Sequence, residues 1–157
     1  MIPKEKWKQY GLPNMEVKGI VIHNTNNQKA SAADLEKWMI KNNTSQGTHF
    51  IVDHNEVRQV MPLDWSVWNT GGGYDFGNLH CISVEICSNP NNSQYLQGQS
   101  KAIDLIENLM HEFNLTKKDL YLHRDFNPNT NCPSQILKLY GNKNNFLSLI
   151  KEKNYEQ

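Results

Sequence analysis

Long apolar runs are missing from this chain. The longest are about the length of a strand, so nothing in it is expected to span a membrane. An excess of either charge is missing too: 16 basic and 16 acidic side chains cancel. No Lys/Arg cluster is dense enough to track a phosphate backbone, which excludes nucleic acid as an expected partner. Cysteine is scarce. Cys81, Cys87 and Cys132 are too few and too irregularly spaced for a disulfide framework, so at least one thiol is free for another task and synthesis in a reducing cytoplasm is expected. The amino end, Met1-Ile2-Pro3-Lys4-Glu5-Lys6-Trp7-Lys8, carries positive charge with no hydrophobic stretch after it, and does not read as a secretory signal. No internal repeat, long linker or second domain is visible.

What is present suits a single domain over residues 1–157, with its core at about 17–151. The chain has 157 residues, 38% of them hydrophobic, enough to build a core without disulfide staples. The first 16 residues read as an irregular arm pinned by Trp7 and Tyr10. Val17 to His23 is apolar on both faces, as a strand covered by helices tends to be. Ser31 begins a helix, with Asp34 as a capping-box variant and Leu35, Trp38 and Met39 as the buried stripe. A hairpin follows: Thr48 to Asp53, a polar tip at His54-Asn55-Glu56, then Val57 to Met61. Asp64 to Leu79, with Gly71-Gly72-Gly73, has the composition of a surface loop carrying function. Cys81 to Cys87 alternates, with Ile82, Val84 and Ile86 on one face and Cys81, Ser83, Glu85 and Cys87 on the other. A helix is expected from about Gln99 to Phe113, a strand ending at His123, a helix opened by Pro133 and closed by Gly141, and a last one around Phe146 to Lys151. Lys151 to Gln157 is a charged tail. Strands mixed with helices and one hairpin argue for an α/β layer structure with a mixed central sheet.

Two histidines and one cysteine carry the chemical signal. His23 and His123 each finish an apolar strand, where side chains emerge at the rim of a sheet, and Cys132 sits in a Pro/Asn-rich loop that can bend over that rim. Two imidazoles and a thiolate are a zinc ligand set. Three ligands without an obvious fourth leave a position for water or substrate, as in hydrolytic sites. Each histidine alone is more simply a hydrogen-bonded structural residue, and spacing alone leaves both readings open.

The local sequences go further. Val21-Ile22-His23-Asn24-Thr25, Thr48-His49-Phe50-Ile51-Val52-Asp53, Ser83-Val84-Glu85-Ile86-Cys87, Leu122-His123-Arg124-Asp125-Phe126 and Asn131-Cys132-Pro133 occur in this order. The series resembles the zinc-dependent N-acetylmuramoyl-L-alanine amidases, the family that includes phage endolysin amidases and is related to the peptidoglycan recognition proteins. The resemblance runs from about Val17 to Tyr140, and its most specific part is a His nine residues before Cys-Pro. It implies zinc held by His23, His123 and Cys132 at the bottom of a groove, in a mixed sheet flanked by helices. It also implies peptidoglycan as substrate, cleaved at the amide between the lactyl group of N-acetylmuramic acid and L-alanine.

The physics agrees with that carry-over. Zinc with two neutral imidazoles and one thiolate keeps a net positive charge, polarises a carbonyl and brings the pKa of bound water toward ~7. Glu85, on the polar side of an apolar alternation, is the candidate proton carrier. It also reads as a partner that orients a ligand histidine, or as half of an unrelated ion pair. Two departures stand out: where some relatives have a tyrosine before the His-aromatic pair and a lysine two residues before the cysteine, this chain has Thr48 and Thr130. A threonine hydroxyl can still donate to a developing oxyanion, and Thr130 is the candidate for it. Asn24, Thr48 and Trp68 are candidate substrate contacts. In many relatives a His follows the tryptophan equivalent to Trp68, and here it is Asn69. His49 reads as a core histidine beside the ligands. His54 reads as a turn residue, His80 precedes a strand without a clear partner, and His111 faces solvent. Cys87 shares Glu85's face and would close the site if it became a fourth ligand.

The expected protein is therefore a monomeric phage or prophage endolysin amidase domain, held in the host bacterial cytoplasm until a separate membrane pore releases it to the wall. A non-catalytic peptidoglycan-binding module on the same fold is the alternative. Such modules typically lose the thiolate, so Cys132 argues against it.

Overall fold

In the computed structural model, which describes residues 1–152, five strands and seven helices alternate along the chain. The strands are β1 (Gly19–Asn24), β2 (Phe50–Val52), β3 (Val57–Gln59), β4 (Cys81–Ile86) and β5 (Leu120–Leu122). They form one sheet in the order β3-β2-β4-β1-β5. β1 runs parallel to β4 and β5, β2 runs parallel to β4, and only β3 is antiparallel, so the sheet is mixed as expected. The helices are α1 (Trp7–Tyr10), α2 (Ala32–Lys41), α3 (Phe76–His80), α4 (Asn92–Glu112), α5 (His123–Phe126), α6 (Ser134–Tyr140) and α7 (Lys143–Leu147). Among the described residues no helix is long and apolar enough to cross a membrane.

Alternation along the parallel strands splits the sheet into two faces. Ile20, Ile22, Ile82, Val84, Ile86, Leu120 and Leu122 join Tyr95, Ala102, Ile106 and Leu109 of α4 and Ile136 of α6 in the larger core. Both faces of β1 and the core face of β4 are buried, which explains the near-continuous apolar runs there. On the opposite face, Ile51 and Cys87 pack with Met39 of α2, Tyr10 of the arm, and Met61 and Val67. Trp7 and Tyr10 pin the arm as expected: Tyr10 is fully buried with its hydroxyl on the Met39 carbonyl, and the Trp7 indole donates to the Ile2 carbonyl at 2.9 Å.

Several boundaries differ from the sequence reading. β1 starts at Gly19 rather than Val17, because its ladder with β4 begins at the Gly19–Cys81 pair. The arm contains a helical stretch over Lys4–Tyr10, and the loop before β4 ends in α3, capped by the Asp75 side chain on the Asn78 amide. α4 begins at Asn92, well before Gln99, with Asn91 as its cap. Its first turns bury Tyr95, Gly98 and Gln99, a stripe disguised by polar and small residues, and a Cβ on Gly98 would meet the Asp53 backbone at 3.1 Å. α7 spans Lys143–Leu147 because Asn142 caps it there, earlier than the 146–151 helix expected. Trp38 is 50% exposed rather than buried; Ala32, Glu36 and Met39 form α2's inner face instead. Residues 153–157 of the charged tail lie outside the described residues.

Candidate metal centre and groove

The parallel strands bring the site together at their carboxyl ends, where open α/β sheets place their ligands. Register sets His23 of β1 directly beside Glu85 of β4, and Glu85 beside Ile51 of β2, all on the face away from α4. His123 comes one residue after β5 and opens the single turn α5 instead of ending the strand. Asp125 fixes that turn by accepting the Leu122 amide at 2.9 Å and the Lys143 ammonium at 2.7 Å. Cys132 arrives from the loop before α6. One ligand atom each from His23, His123 and Cys132 lies within 4.8 Å of the others, and this is the trio of possible metal ligands found among the described residues. The two imidazoles sit 4.7 Å apart, centroid to centroid, and the Cys132 sulfur is 3.6 Å from His23 Nδ1. Cys87 is not part of the group; its buried side chain packs in the smaller core.

The far side of each imidazole is already engaged. His23 Nε2 lies 2.9 Å from the Asn69 Oδ1, and His123 Nε2 lies 3.0 Å from the Thr70 carbonyl. A carbonyl oxygen can only accept, so both rings carry their proton on Nε2 and keep the Nδ1 lone pair for the shared centre. Burial, then the neighbouring His123, holds the His23 imidazole down at about 3 against the opposing Asn69 hydrogen bond, so it is neutral at physiological pH. Burial, then the Glu85 carboxylate, pushes the Cys132 thiol up to about 12, and the sulfur lies 3.5 Å from the Asn24 carbonyl, an acceptor for its proton. Such a thiol gives up its proton only to something with a strong positive charge. Two neutral imidazoles and one such sulfur fit a divalent, borderline-soft cation.

These residues line a cavity of about 330 Å³. Glu85 forms part of its wall, with Oε1 3.8 Å from His23 Nδ1. Its Oε2 is sealed from solvent and has no hydrogen-bond partner, and burial pushes the carboxyl up to about 8. Thr130 also lines the cavity; its hydroxyl oxygen accepts the Cys132 amide at 3.2 Å, which leaves its proton for another acceptor. Thr48 lies on the wall too, but its buried hydroxyl is tied to Ser83 and the Phe50 carbonyl at 3.0–3.1 Å.

Of two further expected substrate contacts, Asn24 lines the cavity and Trp68 does not. The Asn24 amide donates to the Ile86 carbonyl and the Tyr95 hydroxyl, and accepts the Gln135 and Ile136 amides at 3.0 Å. That exhausts its hydrogen-bonding capacity: Asn24 holds the start of α6, and with it Cys132, onto β1. Trp68 lies outside the cavity, its ring edge-on to Tyr74 at 5.6 Å; the wall is made by the next residue, Asn69. His49 is a core histidine as expected, its Nδ1 accepting the Ser83 amide at 2.9 Å and its Nε2 donating to the Trp65 carbonyl at 2.7 Å. His80 has a partner after all, the Glu16 carbonyl at 3.2 Å. The sequence reading missed the exposed Trp38, which lines the cavity with Leu35 and Met39, and gave no role to Asn69, which lines it too, or to Thr70, whose carbonyl meets His123. Asn69 stands where many relatives have a histidine, a signal that was available.

The sequence profile of the N-acetylmuramoyl-L-alanine amidase family Amidase_2 matches residues 13–135. The amidase XlyB of Bacillus subtilis is 38% identical over 128 residues, covering 80% of this chain and 40% of that protein. CwlA of the same organism is 37% identical over 134 residues, covering 82% and 48%. This chain thus spans half or less of the length of these curated relatives. The solved structure of PlyL superposes with a TM-score of 0.88 at 28% identity, covering 97% of this chain and 95% of that one. With the same trio of potential ligands predicted from its sequence and drawn together by its fold, this chain is a member of the N-acetylmuramoyl-L-alanine amidase family.

Proposed function

We propose that this chain is the catalytic domain of a zinc-dependent endolysin, hydrolysing the amide between the lactyl group of N-acetylmuramic acid and L-alanine of the peptidoglycan stem. The observation that carries the reading is the convergence of His23, His123 and Cys132 within 4.8 Å in a groove that also holds an unpartnered carboxylate oxygen of Glu85. His23 and His123 would hold zinc through Nδ1, and Cys132 through its sulfur. Bound there, zinc supplies a Lewis acid for the amide carbonyl and lowers the pKa of water toward ~7.

The chain's own groups do the rest. Glu85 takes the proton of the attacking water and passes it to the departing amine, because an amide nitrogen leaves poorly without one. The Thr130 hydroxyl donates to the oxygen that gains charge as the carbonyl becomes tetrahedral. Leu35, Trp38 and Met39 form an apolar wall along which the stem peptide or glycan lies. The protein works as a monomer and waits in the host cytoplasm for a membrane pore to release it.

Digestion of purified cell wall tests this. New N-terminal alanine without new reducing sugars is expected, with activity abolished by chelation and restored by zinc. Reducing ends, or full activity after His23→Ala, would overturn it.

A further inference from the structure

The turn between Trp68 and α3 does more than border the groove. Asn69 Oδ1 faces His23 Nε2 at 2.9 Å, and the next residue's carbonyl, Thr70 O, faces His123 Nε2 at 3.0 Å. Consecutive positions thus hold the backs of both ligand imidazoles. The orientation of the Asn69 amide is not free: its nitrogen is 2.9 Å from the Val67 carbonyl, 3.2 Å from Asn78 Oδ1 and 3.4 Å from the Gly77 carbonyl. All three are acceptors, so a flipped amide would set oxygen against oxygen. Asn78 supports both positions, since its Oδ1 accepts the Asn69 amide at 2.7 Å and the Thr70 amide at 2.9 Å. It is itself held by Asp75 Oδ1 at its backbone amide and by the Gly73 carbonyl at its side-chain nitrogen. Asn78 is 1% exposed, and this bracket closes over the left-handed Gly71 and Gly73.

We propose that Asn69 is a positioning residue that keeps the His23 proton on Nε2, so that Nδ1 remains a lone-pair donor, and that Asn78 holds Asn69 and the Thr70 carbonyl as one bracket for both histidines. The inference rests on the metal-site reading above and deepens it. Its physical content is a competition. His23 Nδ1 has acceptors of its own close by, Glu85 Oε1 at 3.8 Å and the Cys132 sulfur at 3.6 Å. Either, once ionised, would draw the ring proton to Nδ1, the tautomer that offers no lone pair to the shared centre. His23 is 2% exposed, so water cannot substitute as an acceptor for Nε2–H without opening the site. The Asn69 oxygen is what makes the metal-ready tautomer the stable one.

The experiment compares Asn69→Leu with Asn69→Asp in the full chain. Leucine loses every side-chain donor to the Val67 and Gly77 carbonyls and Asn78 Oδ1, whereas aspartate, protonated on the oxygen that faces those three acceptors, keeps one donor there and an acceptor for Nε2–H. Zinc affinity is read by competition with a chromophoric chelator, and the His23 tautomer by ¹H–¹⁵N correlation in the metal-free protein. Asn69→Leu is expected to bind zinc ten- to a hundredfold more weakly, with His23 moving toward the Nδ1–H form. Asn69→Asp should stay within a few-fold of the wild type and keep the Nε2–H form. Wild-type affinity in Asn69→Leu, or an Asn69→Asp as weak as the leucine variant, overturns the proposal. So does an Nδ1–H tautomer in the metal-free wild type, a measurement that needs no variant to fold. A wild type that binds zinc and cleaves wall while Asn69→Leu matches it sinks this inference alone. A wild type that shows the Nε2–H tautomer but binds no zinc sinks the functional reading instead.

Discussion

Glu85 shows what the groove demands of one side chain. A carboxylate whose Oε2 is sealed and unpartnered is costly to ionise, and burial accordingly pushes it up to about 8 from its ordinary 4.5. A raised carboxyl stabilises the fold fully below the unfolded value and loses that contribution as pH rises through the folded one. Metal-free Glu85→Gln should therefore melt higher than metal-free wild type above about pH 8, while the two converge below about pH 4.5, as followed by circular dichroism. The zinc-loaded variant should lose about a hundred- to ten-thousandfold in turnover on cell wall with zinc affinity little changed; wild-type turnover would remove Glu85 from the chemistry. His49 runs the opposite way. Burial, partly offset by its bond to Trp65, holds it down at about 4 from 6.5, so the unfolded chain takes up a proton that the native core refuses. Stability present above pH 6.5 is lost as pH falls toward 4, by on the order of 3 kcal/mol. His49→Gln should flatten that part of the urea-denaturation profile in the chelated protein, and an unchanged slope would show that His49 titrates freely. The residue type was legible in the sequence here, but the roles of its two nitrogens were not: the Ser83 amide and Trp65 carbonyl come from distant segments.

At the level of elements, legibility follows how much of the information is local. β1 and β4 announce themselves because both are buried in a parallel sheet, and α2 because its Ser31–Asp34 capping box is written in consecutive residues. The opening of α4 is hidden because it buries Tyr95, Gly98 and Gln99 rather than an apolar stripe, and it meets the hairpin through Gly98. Trp38 misleads for the same reason in reverse: helical spacing gives a face, not its neighbour, and on that side α2 borders a groove. The His–His–Cys trio was readable because its local sequences resemble a known family, position alone leaving it open, whereas Asn69 is one polar loop residue among many. Asp53 illustrates how such joints are made. Its Oδ2 accepts the Ala32 amide at the start of α2, and its Oδ1 accepts the Asn55 and Glu56 amides of the hairpin tip at 2.8–2.9 Å. Asp53→Ala leaves three amides without this acceptor and should cost about 2–4 kcal/mol in denaturant unfolding, against about 1 kcal/mol for loss of the Ser31 cap in Ser31→Ala. Equal, small losses would mean that solvent replaces Asp53 as readily as an ordinary cap.

Across the whole molecule the candidate ligands join regions that are otherwise far apart in the chain: His23 on β1, His123 after the edge strand β5, and Cys132 before α6, 109 residues from His23. The unfolded chain cannot present all three together, so a cation bound there favours the native state by RT ln(1 + [L]/Kd), about 2.7 kcal/mol at a hundredfold excess over Kd. For a chain of this length that corresponds to roughly 5–10 °C in Tm. Chelated protein refilled with zinc should show this rise, and it should grow with the logarithm of free zinc. Cys132→Ser keeps the shape of the site but replaces the thiolate with a poor donor, so its zinc-induced rise should shrink to within about a degree at the same free zinc. Asn24→Ala offers a sharper discrimination, because it touches no cation: it releases the α6 amides that hold Cys132 against β1. Chelated Asn24→Ala should already melt lower, and its response to zinc should need a higher concentration. If instead it melts lower but responds to zinc like the wild type, Cys132 is held in place by its own loop, and the link from β1 through Asn24 to the sulfur is structural only.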